Sequence, residues 1–206
     1  SFIDDRFERQ IERHLPDTLF ISRSSDILPA QGEYERGIAC WLNAWVGPRV
    51  QGYVQRLERL VQPAPVHVMQ SSAFTIRADQ AAKRAVNLLL SGPAGGLMGA
   101  RRIGDEVGRP HLLTFDMGGT STDVALIDGQ VKLTSEGSIG PYPVAVPMVD
   151  MHTIGAGGGS IARLDEGGML VVGPESAGAD PGPACYARGG RLPTVTDANL
   201  VLGRLR

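Results

Sequence analysis

Eight consecutive residues carry the densest chemistry in the chain: Asp116-Met117-Gly118-Gly119-Thr120-Ser121-Thr122-Asp123. Two adjacent glycines lack side chains and permit positive φ, so the backbone can turn tightly and direct N–H groups at an anion. Thr120, Ser121 and Thr122 add hydroxyl donors suited to phosphate oxygens. Asp116 and Asp123 flank the turn. Two carboxylates beside a phosphate repel it unless a cation lies between, and Mg²⁺ takes one or two carboxylates with waters and phosphate oxygens. The plainer alternative is a glycine hairpin with capping threonines and solvated aspartates. Paired aspartates, three hydroxyls and a strand on each side weigh towards phosphate.

Other nucleotide motifs fail. Walker A needs a lysine directly after glycine, and neither of the two lysines, Lys83 and Lys132, follows one. A kinase-type Val-Ala-Ile-Lys strand is absent. Gly155-Ala156-Gly157-Gly158-Gly159-Ser160 has the outline of a dinucleotide fingerprint, but it ends in Ser and no clear strand leads into it. A second backbone turn near a binding cleft is one reading of it; a loop packed against its own domain is the other. Glu175 and Asp180 either face a substrate or cap turns. Asp197 precedes a helix-like run and reads as an N-cap. His14, His67 and His111 have no partners at ligand spacing and read as structural or surface groups.

The elements around the loop follow from periodicity. Leu112–Phe115 and Val124–Ile127 read as strands entering and leaving it, Asp128-Gly129 as a hairpin turn, and Val131–Thr134 as a returning strand. Ser91 to about Val107 reads as a helix with Pro93 in its first turn and one side left bare by Ala94, Gly95, Gly96, Gly99 and Ala100, suited to close packing on another backbone. Upstream, Ile3, Phe7 and Ile11 mark one helix face. Thr18–Ser22 reads as a short buried strand, Glu33–Val61 as a helix that Pro48 should kink or divide, Val66–Met69 and Val86–Leu90 as strands, and Asp79 as the cap of a helix through Arg84. Trp41 and Trp45 read as core or interface packing. Of the 27 glycines, only Gly32, Gly37, Gly47 and Gly52 precede residue 91, so close backbone approach to a ligand belongs to the later part. Gly173–Pro183, rich in Gly and Pro, reads mostly as a structured loop.

Bulk properties exclude several classes. With 206 residues, 42% apolar and 20% charged, the chain suits a globular protein of one or two modest domains. A net charge of −2 gives no electrostatic case for nucleic acid or membrane. Cys40 and Cys185 stand far apart and read as reduced thiols, so a cytoplasmic location is expected. The chain starts without Met and stops inside a helix-like pattern, so both ends are expected to be cut.

Five segments together carry a resemblance: Ser91–Gly96, Phe115–Leu126, His152–Ser160, Gly173–Tyr186 and Thr194–Leu200. The loop resembles the second phosphate motif of the actin, sugar kinase and heat-shock ATPase superfamily. With the other segments the chain is similar to the hydantoinase A/5-oxoprolinase family and its N-methylhydantoinase A-like ATP-dependent subunits. The match is dense from Ser91 onwards and looser before, through Glu33–Arg36 and Asn43–Pro48.

The resemblance implies an α/β ribonuclease-H-like, actin-like ATPase fold with ATP between two lobes. Residues 1–90 would be the later part of lobe one, 91–110 a connecting glycine-rich helix, and 111–206 a truncated second lobe. It implies ATP and Mg²⁺ as cofactors, with Gly118, Gly119, Thr120, Ser121, Thr122, Gly155, Gly157 and Gly158 holding nucleotide. Asp116 and Asp123 would hold the metal and, with His152, act in catalysis. A strand through His152 would put Asp150 on the same face, able to orient the imidazole; hydrogen bonding to the glycine turn is the alternative role. His152 also resembles the His of the hydantoinase and carboxylase branch, where 5-oxoprolinases carry Asn. The implied reaction phosphorylates the carbonyl oxygen of a small cyclic amide of hydantoin type, with a hydantoinase B-type companion completing hydrolysis. Alternatives are the ATP-using subunit of an acetone or acetophenone carboxylase, a non-catalytic module that docks a partner, and a sugar or acetate-type kinase.

Overall fold

The computed structural model of the chain describes residues 4–206. In chain order its helices are α1 (Arg6–Glu12), α2 (Ser24–Ile27), α3 (Glu33–Val61), α4 (Ala78–Lys83), α5 (Ser91–Glu106) and α6 (Val195–Val201). Its strands are β1 (His67–Met69), β2 (Thr75–Arg77), β3 (His111–Met117), β4 (Thr122–Asp128), β5 (Gln130–Val131), β6 (Leu133–Thr134), β7 (Gly137–Ile139), β8 (Tyr142–Val144), β9 (Met148–Val149), β10 (His152–Ile154), β11 (Ser160–Leu164) and β12 (Leu170–Ser176). The mixed α/β chain forms two compact units. One takes the chain up to Gly108 with Gly129–Asp150, the other Arg109–Asp128 with Met151–Arg206. No helix among the described residues is long and apolar enough to cross a membrane.

The first unit is organised by α3. Ala39, Leu42 and Val54 are buried along it, and with Ile27, Val86, Val144, Val146 and Met148 they supply much of the core. The segment after Gly129 thus contributes apolar side chains here, and the Val149 N–H donates to the Ser71 carbonyl at 2.8 Å. Asn43, fully buried, is satisfied on every side: its amide nitrogen donates to Ser22 Oγ and to the Lys83 carbonyl, and its oxygen accepts from Val86 N–H, each at 3.1 Å. A buried amide with three partners fixes the elements around it, because leaving any of its groups unmet costs about 1–3 kcal/mol.

Several elements differ from those the sequence pattern implies. Pro48 neither ends nor divides α3, which runs unbroken for 29 residues; packing on α2, α4 and α3's other neighbours holds the turns on either side. Thr18–Ser22 forms no strand. Its polar groups go instead to Cys40 and Asn43, and the Phe20 ring lies against Gly47, where a side chain would collide with it. Val86–Leu90 is not a strand either. A 3₁₀ turn covers Ala85–Leu88, since Val86 N–H bonds Asn43 and the Asn87 carbonyl accepts from the Ser71 N–H and hydroxyl. Asp79 sits inside α4, whose N-cap is Arg77, and its carboxylate accepts from Arg77 Nε at 3.1 Å.

Trp41 and Trp45 are not core. They are 46% and 62% exposed and stack on one another at 5.9 Å, with Tyr142 tilted against Trp41 at 5.2 Å. The bare side of α5 is covered at one end, where Ala94 is fully buried, and open at its glycines: a Cβ at Gly95, Gly96 or Gly99 would meet nothing within 4 Å among the described residues. Phe7 and Ile11 of α1 are exposed. Ile3, assigned to the same face, lies outside the described residues.

In the second unit β3, β4 and β10 pair antiparallel in the order β10-β4-β3. The returning strand expected after Asp128-Gly129 belongs to the first unit, where it is split into β5 and β6, and β6 pairs with β9. Gly129 has the positive φ that the turn requires. The stretch from Gly173, expected as loop, begins as the second half of β12, which forms a hairpin with β11. His111 on the rim of β3 pairs with Asp128 at 2.6 Å, an exposed surface contact.

Candidate phosphate site

The strands β3 and β4 are joined by a four-residue turn, Gly118–Ser121, closed by a hydrogen bond from Gly118 N–H to the Ser121 carbonyl at 2.9 Å. Neither Gly118 nor Gly119 has positive φ, contrary to the expectation from their identity. Their value here is access. A Cβ at Gly119 would meet nothing within 4 Å, and residues Gly118, Gly119 and Thr120 are exposed.

Glycine is required on the opposite partner. The turn Gly155–Ser160 lies directly on the loop: Gly158 N–H donates to the Gly118 carbonyl at 2.9 Å and Gly159 N–H to the Gly119 carbonyl at 2.7 Å. A Cβ at Gly157 would lie 2.6 Å from the Gly118 oxygen and 2.7 Å from the Thr120 nitrogen. Gly157 N–H is taken by the hydroxyl of Ser160, itself fully buried, at 2.8 Å. The amides of Gly157 and Gly158 are therefore spent on the protein, and Gly155 stands exposed at the entry to the turn.

This lacing sets the direction of the loop amides. A trans peptide is planar, with its carbonyl and N–H pointing opposite ways. Holding the Gly118 and Gly119 oxygens against the glycine turn therefore points the next two amides, those of Gly119 and Thr120, away from it. Among the described residues no backbone acceptor meets either amide outside the strand ladders. Two successive N–H groups directed away from the turn, beside the exposed Thr120 and half-buried Ser121, are an arrangement of the kind that can receive an anion. Thr122 does not join them: it is buried, and its hydroxyl donates to the Ala156 carbonyl at 2.6 Å, bracing the turn.

Asp116 and Asp123 are directly opposite each other across β3 and β4. Facing residues of an antiparallel pair share a face, with Cβ atoms roughly 5 Å apart, and like charges there repel. Thr153 of β10 faces Asp123 in turn and donates its hydroxyl to Asp123 Oδ1 at 2.7 Å, so a row Asp116–Asp123–Thr153 crosses the sheet beside the loop. Among the described residues no cluster of three or more His, Cys, Asp or Glu could hold a metal. The donor set of the row, two carboxylates beside an anion place, is what Mg²⁺ takes when phosphate and water complete its shell.

His152 is not brought to that row. It faces Val124, one residue along, so its imidazole lies on the other face of the sheet from the two carboxylates. The strand expected to align it with Asp150 begins only at His152, and the Asp150 N–H is bonded to the Lys132 carbonyl within the first unit.

Sequence reasoning missed Thr153, Ser160 and Thr196, and placed the cap of α6 three residues late. The N-cap is Thr194, and Asp197 is the third helical residue of a capping box. Its carboxylate accepts from Thr194 N–H and hydroxyl at 2.8 and 2.7 Å and from Cys185 N–H at 2.7 Å. Burial alone would raise its pKa, but the hydrogen bonds from Cys185 and Thr194 hold it well below the usual carboxylate range. The Cys185 thiol is pushed up by its hydrogen bond to Asp197 and by burial. The Thr-x-x-Asp spacing before the helix was the legible signal for this cap.

The family described as Hydantoinase/oxoprolinase matches residues 36–206. Caprolactamase subunit alpha of Pseudomonas jessenii is 39% identical over 207 residues, covering 98% of this chain and 30% of that protein. 5-Oxoprolinase PfmaA of Pestalotiopsis fici is 42% identical over 189 residues, covering 90% of this chain and 14% of its own length. The crystal structure of the ATP-dependent caprolactamase from Pseudomonas jessenii superposes with a TM-score of 0.82 at 38% identity, over 98% of this chain and 30% of that one. Nucleotide-free acetone carboxylase, an enzyme of ATP-dependent acetone carboxylation, gives 0.74 at 30% identity, over 89% and 26%. The chain thus spans under a third of the length of each of these four.

Proposed function

The chain belongs to the hydantoinase/oxoprolinase family, and from that premise we propose that it is part of an ATP-dependent enzyme that activates the carbonyl of a small cyclic amide. The observation that carries this reading is the loop itself: two outward amides at Gly119 and Thr120 beside the facing pair Asp116 and Asp123. The amides, with the Thr120 and Ser121 hydroxyls, hold the terminal phosphates of ATP, and the two carboxylates hold Mg²⁺. The metal supplies charge neutralisation on those phosphates. Such a reaction asks the protein mainly for positioning and for compensation of charge. The amide oxygen attacks the γ-phosphorus while the bond to the β–γ bridging oxygen breaks and ADP departs. Water then adds to the activated carbon and the C–N bond breaks, releasing the ring nitrogen as the amine and leaving an acyl phosphate; a second water attacks the acyl carbon, and phosphate leaves with the former carbonyl oxygen.

On this reading the two lobes are ribonuclease-H-like, the surrounding architecture is that of an actin-like ATPase, and a hydantoinase B-type companion completes ring opening. Relatives named for caprolactam and 5-oxoproline support the cyclic-amide class. His152 favours hydantoins over 5-oxoproline within it. The likeness to acetone carboxylase supports a second reading, ATP-driven activation for carboxylation of a ketone. Asp123→Asn in the full-length protein tests the site common to both. Losing charge compensation of this kind costs several kcal/mol, so kcat for ATP consumption should fall by at least about a hundredfold with the fold intact. Activity within about threefold of wild type, under ~1 kcal/mol, would remove the metal assignment.

A further inference from the structure

The glycine turn that braces the loop is itself held by a residue 38 positions further along the chain. The Gly158 carbonyl accepts twice from Thr196, from its N–H and from its hydroxyl, both at 2.8 Å. The nitrogen of that same peptide is Gly159 N, which donates to the Gly119 carbonyl at 2.7 Å. Because the peptide is planar and trans, two bonds on its oxygen fix the plane and so aim its N–H at Gly119. The Gly119 carbonyl belongs in turn to the peptide that carries the Thr120 amide, directed outwards. A hydroxyl at 196 thus sets the direction of an amide on the far side of two peptide groups.

Thr196 is itself held. It is the second residue of α6, flanked by the capping box of Thr194 and Asp197, and Asp197 also accepts from the Ala184 and Cys185 amides at 3.3 and 2.7 Å. Its N–H is one of the helix-end donors with no partner inside the helix, and here it is spent on a carbonyl. The contact is tight: a Cβ at Gly158 would fall 2.9 Å from Thr196 Oγ1.

Resting on the reading of Gly118–Ser121 as the phosphate loop, we propose that Thr196 is a positioning residue for ATP chemistry, acting through the Gly158–Gly159 peptide on the aim of the Thr120 amide. It touches no reactant. Removing its hydroxyl leaves one bond on the Gly158 oxygen and frees the plane to rotate. An amide aimed at developing charge matters more in the transition state than in the ground state, so the effect falls on kcat.

The test uses Thr196→Val, which keeps the N–H and the shape, and Thr196→Ser, which keeps the hydroxyl, in the full-length protein with its companion. Thr196→Val should lower kcat for ATP consumption about tenfold while KM for ATP moves by less than about threefold, and Thr196→Ser should return to within about threefold of wild type. A Thr196→Val enzyme with wild-type kcat overturns the proposal, as does a fall confined to KM or to melting temperature. Should Thr196→Val not fold, Thr196→Ser carries the test alone: a tenfold loss in a variant that keeps both donors refutes the relay. Asp123→Asn, run alongside, separates the two layers. If it abolishes turnover while Thr196→Val does not alter it, only the relay fails; if Asp123→Asn leaves turnover unaltered, the phosphate loop and the relay fail together.

Discussion

Gly157→Ala strikes the joint between the glycine turn and the loop. Its Cβ would lie 2.6 Å from the Gly118 oxygen, 2.7 Å from the Thr120 nitrogen and 2.8 Å from the Gly119 carbonyl carbon. All three are backbone atoms and cannot swing aside as the end of a side chain can. The turn must back away, which stretches the 2.9 Å bond from Gly158 to Gly118 and the 2.7 Å bond from Gly159 to Gly119. Two backbone hydrogen bonds at about 1 kcal/mol each, with roughly 1–3 kcal/mol for overpacking, place the local loss at about 3–5 kcal/mol. At 1.4 kcal/mol per tenfold, amide protection there should fall at least about a hundredfold. Hydrogen exchange read by mass spectrometry on peptides spanning 116–123 and 155–160 of the full-length protein measures it. Gly119→Ala is the matched control. Its Cβ meets nothing within 4 Å and its φ is not positive, so exchange should stay within about twofold, whereas ATP turnover should drop roughly tenfold or more as the methyl enters the open side of the loop. Wild-type exchange in Gly157→Ala, or equal exchange in both variants, would refute the close approach on which the site is built.

Asp197 makes a pH prediction whose sign follows from its depressed pKa. A carboxylate held low in the folded protein contributes stability that is present above its unfolded value and lost as pH falls through the folded one. The melting-temperature advantage of wild type over Asp197→Asn should therefore hold from pH 7 down to about 4 and narrow only below that; a gap already closing between about pH 7 and 5 would assign the effect to another group. For His152, on the sheet face away from the carboxylates, Asn substitution should leave KM for ATP within about twofold. A large rise in that constant would place the imidazole in the nucleotide site after all.

The strands around the loop were legible because each alternates or clusters apolar residues between turn signals, as Leu112–Phe115 and Val124–Ile127 do. The facing of Asp116 and Asp123 then follows from the four-residue turn alone. What periodicity could not carry is contact across long separations. Gly157 and Gly118 are 39 positions apart, and nothing local to either shows that the missing side chain matters at 157 more than at 119. Thr18–Ser22 and Val86–Leu90 have strand composition but give their backbone groups to Asn43, Cys40 and Ser71, partners that only tertiary packing supplies. Trp41 and Trp45 follow helical spacing, yet spacing says which face they share and not whether anything covers it. In β12, Gly173 and Pro174 masked a strand that pairs through Val171 and Val172.

The central claim, that ATP is spent on the carbonyl oxygen of a cyclic amide, is tested most directly by the fate of that oxygen. The full-length enzyme with its companion is given ATP and a lactam or hydantoin labelled with ¹⁸O at the ring carbonyl, and the released inorganic phosphate is analysed by mass spectrometry. The account predicts one labelled oxygen in the phosphate for each ring opened, because the carbonyl oxygen becomes the bridge to phosphorus and leaves with it. Stoichiometric ADP with unlabelled phosphate would contradict it.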